Sequence, residues 1–267
     1  MTILPQEETA YMQISAKEIA SLLRTLSRTA NKPHFTSAII AAAGCGSRMC
    51  DESGKTKQLM ELCGIPVIVH TLRAFEKCEQ INEIIVVARR DEVEIYEKYK
   101  SDYGFSKISA VVVGGDTRQE SVLRGFEAIS DKSDFVAIHD GARCLTTSEM
   151  IDAVLFEAFR KGAATAATKA TDTVKRADGK GFISETIERE GLWLAQTPQV
   201  FKTELYRAAA YVSKEDGFAA TDDNSLAEHV GFQVKLVDCG SENIKITTAV
   251  DLSIAEVILR RREACGK

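Results

Sequence analysis

The 267-residue chain has no C-x-x-C pair. Its seven cysteines (Cys45, Cys50, Cys63, Cys78, Cys144, Cys239 and Cys265) are scattered, and only four histidines accompany them. That pattern excludes a zinc framework and a small disulfide-stapled scaffold, and it reads as reduced thiols in a cytosolic protein. No apolar run approaches the roughly 20 residues of a membrane-spanning helix. Met1–Glu8 is acidic and lacks the apolar core of a secretory signal. Cytoplasmic placement, without membrane contact, is therefore the expectation. An excess of positive charge is missing as well: 34 Lys and Arg stand against 39 Asp and Glu, a formal net charge of −5. That balance argues against nucleic acid as the main partner and leaves room for local binding of a small anion.

Two familiar phosphate fingerprints are also absent, and both fail at one residue. The stretch Ala38–Lys57 opens with a short apolar run, Ala38–Ala43, that reads as a buried strand, followed at once by Gly44 and Gly46. Such a turn lets backbone N–H groups approach an anion. The dinucleotide fingerprint G-x-G-x-x-G needs glycine where Met49 stands. The P-loop pattern ending at Gly54-Lys55-Thr56 needs its first glycine at the same place. Strand, glycine loop and the nearby cations Arg48 and Lys57 still indicate polyphosphate binding of another kind.

What is present is 45% hydrophobic residues, enough for one sizeable core or a core with an appendage. In residues 1–34, Ile14, Ile19, Leu22, Leu23 and Leu26 fall largely on one helical face, and Pro33 ends the pattern. Strands are then expected at Glu83–Ala88, Ile108–Val113, Asp134–His139 and Ala163–Thr168. Helices are expected at Ile65–Cys78, Asp91–Lys100, Arg118–Ile129 and Ser148–Lys161. This alternation implies right-handed βαβ units and a largely parallel sheet covered on both faces. It lapses at 172–192, where Asp178-Gly179-Lys180-Gly181 separates two short polar strands. That segment reads as a hairpin projecting from the domain, covered by a second subunit. Residues 193–202 read as a loop, followed by helices near Thr203–Ser213 and Asp223–His229, a strand at Gln233–Val237 and a final helix through Leu252 and Leu259.

Ligands of open parallel sheets bind beyond the carboxyl ends of the strands. Three clusters of glycine and charge fall there: Gly44–Arg48, Gly114–Ser121 and Asp140–Arg143. With Lys57-Gln58, Asp172-Thr173-Val174-Lys175-Arg176, Gln196-Thr197-Pro198-Gln199, Thr221-Asp222-Asp223 and Asn243-Ile244-Lys245-Ile246-Thr247, they occur in an order that resembles the 2-C-methyl-D-erythritol 4-phosphate cytidylyltransferase family. The likeness covers about residues 37–260. It implies a Rossmann-like nucleotidyltransferase fold, α/β, with a mostly parallel sheet, helices on both faces and a projecting β-hairpin arm. The division it implies is an N-terminal helical extension over 1–34 and a cytidylyltransferase domain over 35–267.

The activity implied is transfer of a cytidylyl group from CTP, with Mg²⁺ or another divalent cation, to 2-C-methyl-D-erythritol 4-phosphate in the non-mevalonate route to isoprenoid precursors. Ribitol-5-phosphate cytidylyltransferase, with another polyol phosphate as acceptor, resembles the same pattern. A non-catalytic nucleotide-binding regulator on this fold would be expected to lose Arg48 or Lys57. By family position Arg48, Lys57 and Lys245 are catalytic, and Ala42, Ala43, Gly44, Gly46, Gly115, Asp116, Ser121 and Asp140 contact CTP. Asp140, Arg143, Thr173, Arg189, Thr197 and Lys245 meet the acceptor, and Asp140 is also the candidate metal ligand. The arm makes a homodimer in which Thr173 and Arg189 complete the partner's site. His139 reads as a packing residue. Two departures stand out: the family usually has Ala at Gly141 and Pro at Cys144.

Overall fold

A computed structural model of the chain describes residues 33–44 and 56–264. The helix expected in the N-terminal extension, and the loop residues Gly46 and Arg48, lie outside them. The first strand, β1 (Thr36–Ala41), is apolar on both sides. Ala38, Ile40 and Ala42 enter one core cluster, while Ile39 enters the other with Ala41 and Ala43 packed beside it. Burial on both faces is what a central parallel strand requires. Two residues each of β2 (Glu61–Leu62) and β3 (Ile65–Pro66) then form a tight hairpin. Its turn, Cys63-Gly64, has φ of 51° and 74°, the positive pair that matches the twist of two-residue hairpins. Helix α1 (Val67–Lys77) therefore starts two residues later than the expected Ile65, with Pro66 in the cap position.

The chain continues through β4 (Glu83–Ala88), α2 (Val93–Asp102), β5 (Ile108–Val113), α3 (Arg118–Glu127), β6 (Phe135–Asp140), α4 (Ser148–Lys161) and β7 (Ala163–Lys169). An exposed hairpin of β8 (Lys175–Ala177) and β9 (Ile183–Thr186) stands apart as its own two-stranded sheet. Then come β10 (Trp193–Lys202), α5 (Thr203–Glu215), α6 (Asp223–His229), β11 (Lys235–Asp238) and α7 (Ala249–Ala264). The main sheet has seven strands in the order β11-β7-β10-β6-β1-β4-β5. Only β10 runs antiparallel to its neighbours, β6 and β7. Helices α1, α2 and α4 cover one face, and α3, α5 and α6 the other. No described helix is long and apolar enough to cross a membrane.

Strand β10 corrects the loop expected at 193–202. Pro198 argues against a central strand because it donates no ladder hydrogen bond. The sheet accommodates it where pairing with β7 is interrupted, between Ala195 and Gln199. The topology also fixes the crevice. From β1 the chain moves outward to β4 and β5, and β6 then pairs on β1's other side. The carboxyl ends of β1 and β6 therefore flank the switch point where ligands of such sheets bind.

Gly141, just past β6, has a packing reason. Its N–H donates to the Ala41 carbonyl at 2.9 Å. A Cβ added there would lie 2.7 Å from Ile68 Cδ1 and 3.2 Å from that same carbonyl oxygen. Gly141→Ala is therefore expected to lower stability by about 1–3 kcal/mol, read from denaturant unfolding. Combining it with Ile68→Val, which removes the Cδ1 atom, should cost less than the two single changes added together.

Candidate functional site

A cleft of about 380 Å³ opens where β1, β5 and β6 end. One wall is the turn after β5. Gly114 lies so close to β1 that a Cβ on it would sit 2.4 Å from Ala43 Cβ. Thr117 then caps α3: its hydroxyl accepts from the Glu120 N–H at 3.1 Å, while the Glu120 carboxylate accepts from the Asp116 and Thr117 amides at 2.8 and 3.3 Å. This reciprocal capping box fixes the Gly115–Ser121 loop. The Ser121 hydroxyl donates to the Thr117 carbonyl at 2.8 Å and accepts from the Gly115 N–H at 3.1 Å. Asp116 is left at the rim, exposed and lining the cleft.

The floor is Asp140, the last residue of β6, only 8% exposed. Lys245 Nζ lies 2.8 Å from its Oδ2, Arg118 Nε 3.2 Å from its Oδ1, and Arg143 Nε 3.7 Å from its Oδ2. Burial alone would raise this carboxyl. Lys245, then Arg118 and Arg143, reverse that and hold it well below the ordinary carboxylate range. Arg143 donates to the Asn243 carbonyl at 2.8 Å, and Ile246 N–H donates to the Ala142 carbonyl at 2.8 Å. The Asn243 side chain donates to the Gln196 side chain and the Thr197 carbonyl at 3.0 and 2.9 Å. These bonds bring segment 243–246 against β6 and β10, and so deliver Lys245 to the cleft.

Arg143 stands beside Asp140 without lining the cleft; the other described site residues divide into three groups. Ala43, Gly44, Lys57, Gly115, Asp116, Ser121, Asp140 and Lys245 line one cleft, drawn from the ends of several strands. Ala42, with its N–H bonded to the Val87 carbonyl at 2.8 Å, is fully buried beneath it. Thr197 is set behind the floor, 3% exposed, and its hydroxyl oxygen accepts from the Asp140 N–H at 3.0 Å. His139 Nδ1 lies 3.0 Å from the same hydroxyl, and its Nε2 lies 3.3 Å from the Arg143 carbonyl. A carbonyl only accepts, so Nε2 carries the ring proton and Nδ1 accepts from Thr197. Burial pushes His139 down to about 3, which keeps the ring neutral. It is the packing residue the sequence suggests, against Phe75 at 4.9 Å between ring centroids.

The third group is on the arm. Thr173 and Arg189 are exposed and line no part of this chain's own cleft, and Arg189 donates to the Thr171 carbonyl at 2.5 Å. The arm also exposes Phe182 (70%) and Ile183 (67%). Cys144, where proline was expected, is buried, and burial pushes its thiol up to about 12, so it is not a nucleophile.

Among the described residues no group of three His, Cys, Asp or Glu side chains is placed to hold a metal ion. Asp140, the candidate ligand, is already surrounded by cations. The described residues therefore do not build a protein cage for a divalent cation.

Sequence reasoning passed over Arg118, a member of the Gly114–Ser121 cluster. Its Nη1 lies 2.8 Å from Asp223 Oδ2, and the Tyr206 hydroxyl donates to Asp223 Oδ1 at 2.9 Å. One signal was available. A cation in the first turn of a helix opposes the helix dipole, which a carboxylate partner would offset.

Comparison with known proteins agrees with this geometry. The family model of 2-C-methyl-D-erythritol 4-phosphate cytidylyltransferase matches residues 36–261. A protein of that name from Shouchella clausii is 43% identical over 226 residues, covering 85% of this chain and 97% of its own. One from Pelotomaculum thermopropionicum is 41% identical over 227 residues, covering 85% and 94%. The crystal structure of 4-diphosphocytidyl-2C-methyl-D-erythritol synthase from Anaerococcus prevotii superposes with a TM-score of 0.76 at 32% identity, over 86% of this chain and all of that one. The cytidylyltransferase structure from Thermus thermophilus gives 0.67 at 29% identity, over 85% and 99%. The chain belongs to the 2-C-methyl-D-erythritol 4-phosphate cytidylyltransferase family.

Proposed function

We propose that the protein transfers the cytidylyl group of CTP to 2-C-methyl-D-erythritol 4-phosphate, giving 4-diphosphocytidyl-2-C-methyl-D-erythritol and pyrophosphate. The observation that carries this reading is the single cleft in which Lys57, the Gly115–Ser121 loop and the Asp140–Lys245 pair meet. A phosphate oxygen of the acceptor attacks the α-phosphorus of CTP. The bond from that phosphorus to the oxygen bridging to the β-phosphate breaks, and its electron pair leaves on pyrophosphate. The nucleophile is already an anion, so no general base is assigned. The obstacle is two anions meeting while charge grows on the leaving oxygens, which positioning and fixed positive charge address.

Ala43, Gly44 and Gly46 are read as the cytosine and triphosphate grip, with the buried Ala42 supporting it from beneath rather than touching CTP. Gly115, Asp116 and Ser121 are read as the pyrimidine and ribose reader. Arg48 and Lys57 stabilise the α-phosphoryl group and the leaving pyrophosphate; Arg48 lies outside the described residues and rests on its place in the motif. Lys245 and Arg143 meet the acceptor phosphate. Asp140 orders those two cations. Thr197, placed behind Asp140, supports the floor through the Asp140 N–H. A divalent cation would enter as part of the CTP complex, whose phosphates supply most of its ligands. No step is assigned to it.

Thr173 and Arg189 act in the partner's cleft of a homodimer. What supports this is that neither lines its own chain's cleft, and that Phe182 and Ile183 are exposed on the same arm. Cytoplasmic placement suits the free thiols of Cys78, Cys144 and Cys239.

Pyrophosphate release with CTP and Mg²⁺ tests the reaction. Turnover is expected with 2-C-methyl-D-erythritol 4-phosphate. Turnover with ribitol 5-phosphate alone would contradict the assignment. Lys57→Ala and Lys245→Ala should each lower kcat/KM about 10²–10³-fold, the cost of removing one preorganised charge-stabilising donor. The shared site has a separate check. Lys57→Ala and Arg189→Ala proteins, each inactive alone, should on mixing recover roughly a quarter of wild-type activity. Half of a statistical mixture is heterodimer, with one intact site in two. No recovery among subunits shown to exchange would rule out the shared site.

A further inference from the structure

Arg118 lies between the two halves of the cleft. It follows Asp116 and Thr117 of the nucleotide loop directly, yet its side chain turns to Asp140 at 3.2 Å and to Asp223 at 2.8 Å. Asp223 is 2% exposed in the first turn of α6. Its other oxygen accepts from Tyr206, a fully buried residue of α5. Burial would lower the Arg118 guanidinium, and the carboxylates of Asp223 and Asp140 more than reverse it. The planar fork meets the two carboxylates through different nitrogens, Nε and Nη1, and so fixes their separation and angle, which the single ammonium of a lysine would not.

The charges around this fork matter for the acceptor. Asp140 is shared by Arg118 on the nucleotide side and by Lys245 and Arg143 on the acceptor side. Together, three cations and two carboxylates leave one net positive charge. If Arg118 were lost, Asp140, whose Oδ2 already lies 2.8 Å from Lys245, would be left with Lys245 and Arg143 alone and would neutralise more fully the cations an incoming phosphate needs. We infer that Arg118 is a positioning residue that couples the nucleotide half of the cleft to the acceptor half, holding Asp140 in place from an anchor on Asp223 and Tyr206. This rests on the assignment of Lys245 and Arg143 to the acceptor phosphate made above.

The test separates acceptor use from nucleotide binding. Arg118→Met should raise the acceptor KM about tenfold or more and lower kcat, while the dissociation constant for CTP, measured by calorimetry, changes less than about threefold. Because the single variant leaves Asp223 buried without its cation, Arg118→Met/Asp223→Asn removes both charges and should recover stability without recovering the acceptor KM. Arg118→Met/Asp140→Asn should be no worse than the poorer single variant, since Arg118 acts through Asp140. An unchanged acceptor KM, a CTP affinity that falls in step with it, or multiplying losses in the Arg118/Asp140 pair would overturn the inference. Lys245→Ala is the control. If it raises the acceptor KM and Arg118→Met does not, this inference alone fails. If Lys245→Ala leaves the acceptor KM unchanged, the acceptor assignment fails and this inference falls with it.

Discussion

A buried carboxylate at the end of β6 sets the character of the whole site. Asp140 is almost out of water, where an unpaired charge would be costly. It stays ionised because Lys245, Arg118 and Arg143 converge on it from three separate parts of the chain. In turn those cations are held close together only because the carboxylate lies between them. A cleft proposed to take a triphosphate and a phosphate monoester needs concentrated positive charge, and mutual repulsion would scatter it without such an anchor. Its depressed carboxyl pKa also links to stability: the contribution is present above the ordinary value near 3.8 and is lost as pH falls through the folded value.

The fold serves that arrangement. β6 ends at the switch point of the sheet, so Asp140 faces the crevice rather than the core. Behind it, Thr197 and neutral His139 satisfy the backbone and one another, so the floor does not depend on titration near neutral pH. Gly141 lets the chain turn away between Ile68 and the Ala41 carbonyl without a clash. On the opposite wall, the Thr117–Glu120 capping box fixes the Gly115–Ser121 loop from within its own few residues.

Much of this was legible in the residues. The runs Glu83–Ala88, Ile108–Val113 and Ser148–Lys161 coincide with β4, β5 and α4, because apolar periodicity and flanking glycine signal such elements locally. The clusters of glycine and charge at three strand ends also marked the cleft. What was not legible depended on distance in the chain. Trp193–Lys202, expected as a loop, is a strand that carries Pro198, a residue without a ladder donor, where its pairing is interrupted. The Arg118–Asp223 pair spans 105 positions, and no local pattern announces it. Thr197 has the right chemistry for a polyol, yet the fold spends its hydroxyl on the Asp140 amide.

The most direct measurement is the titration of Asp140 itself, by carbon-13 NMR of its carboxyl in aspartate-labelled protein. The account predicts a carboxylate that stays ionised as pH falls well below 3.8, and whose pKa rises in Lys245→Met and in Arg118→Met. An Asp140 that titrates at or above 3.8 in the wild-type protein, or that does not respond to either substitution, would contradict it.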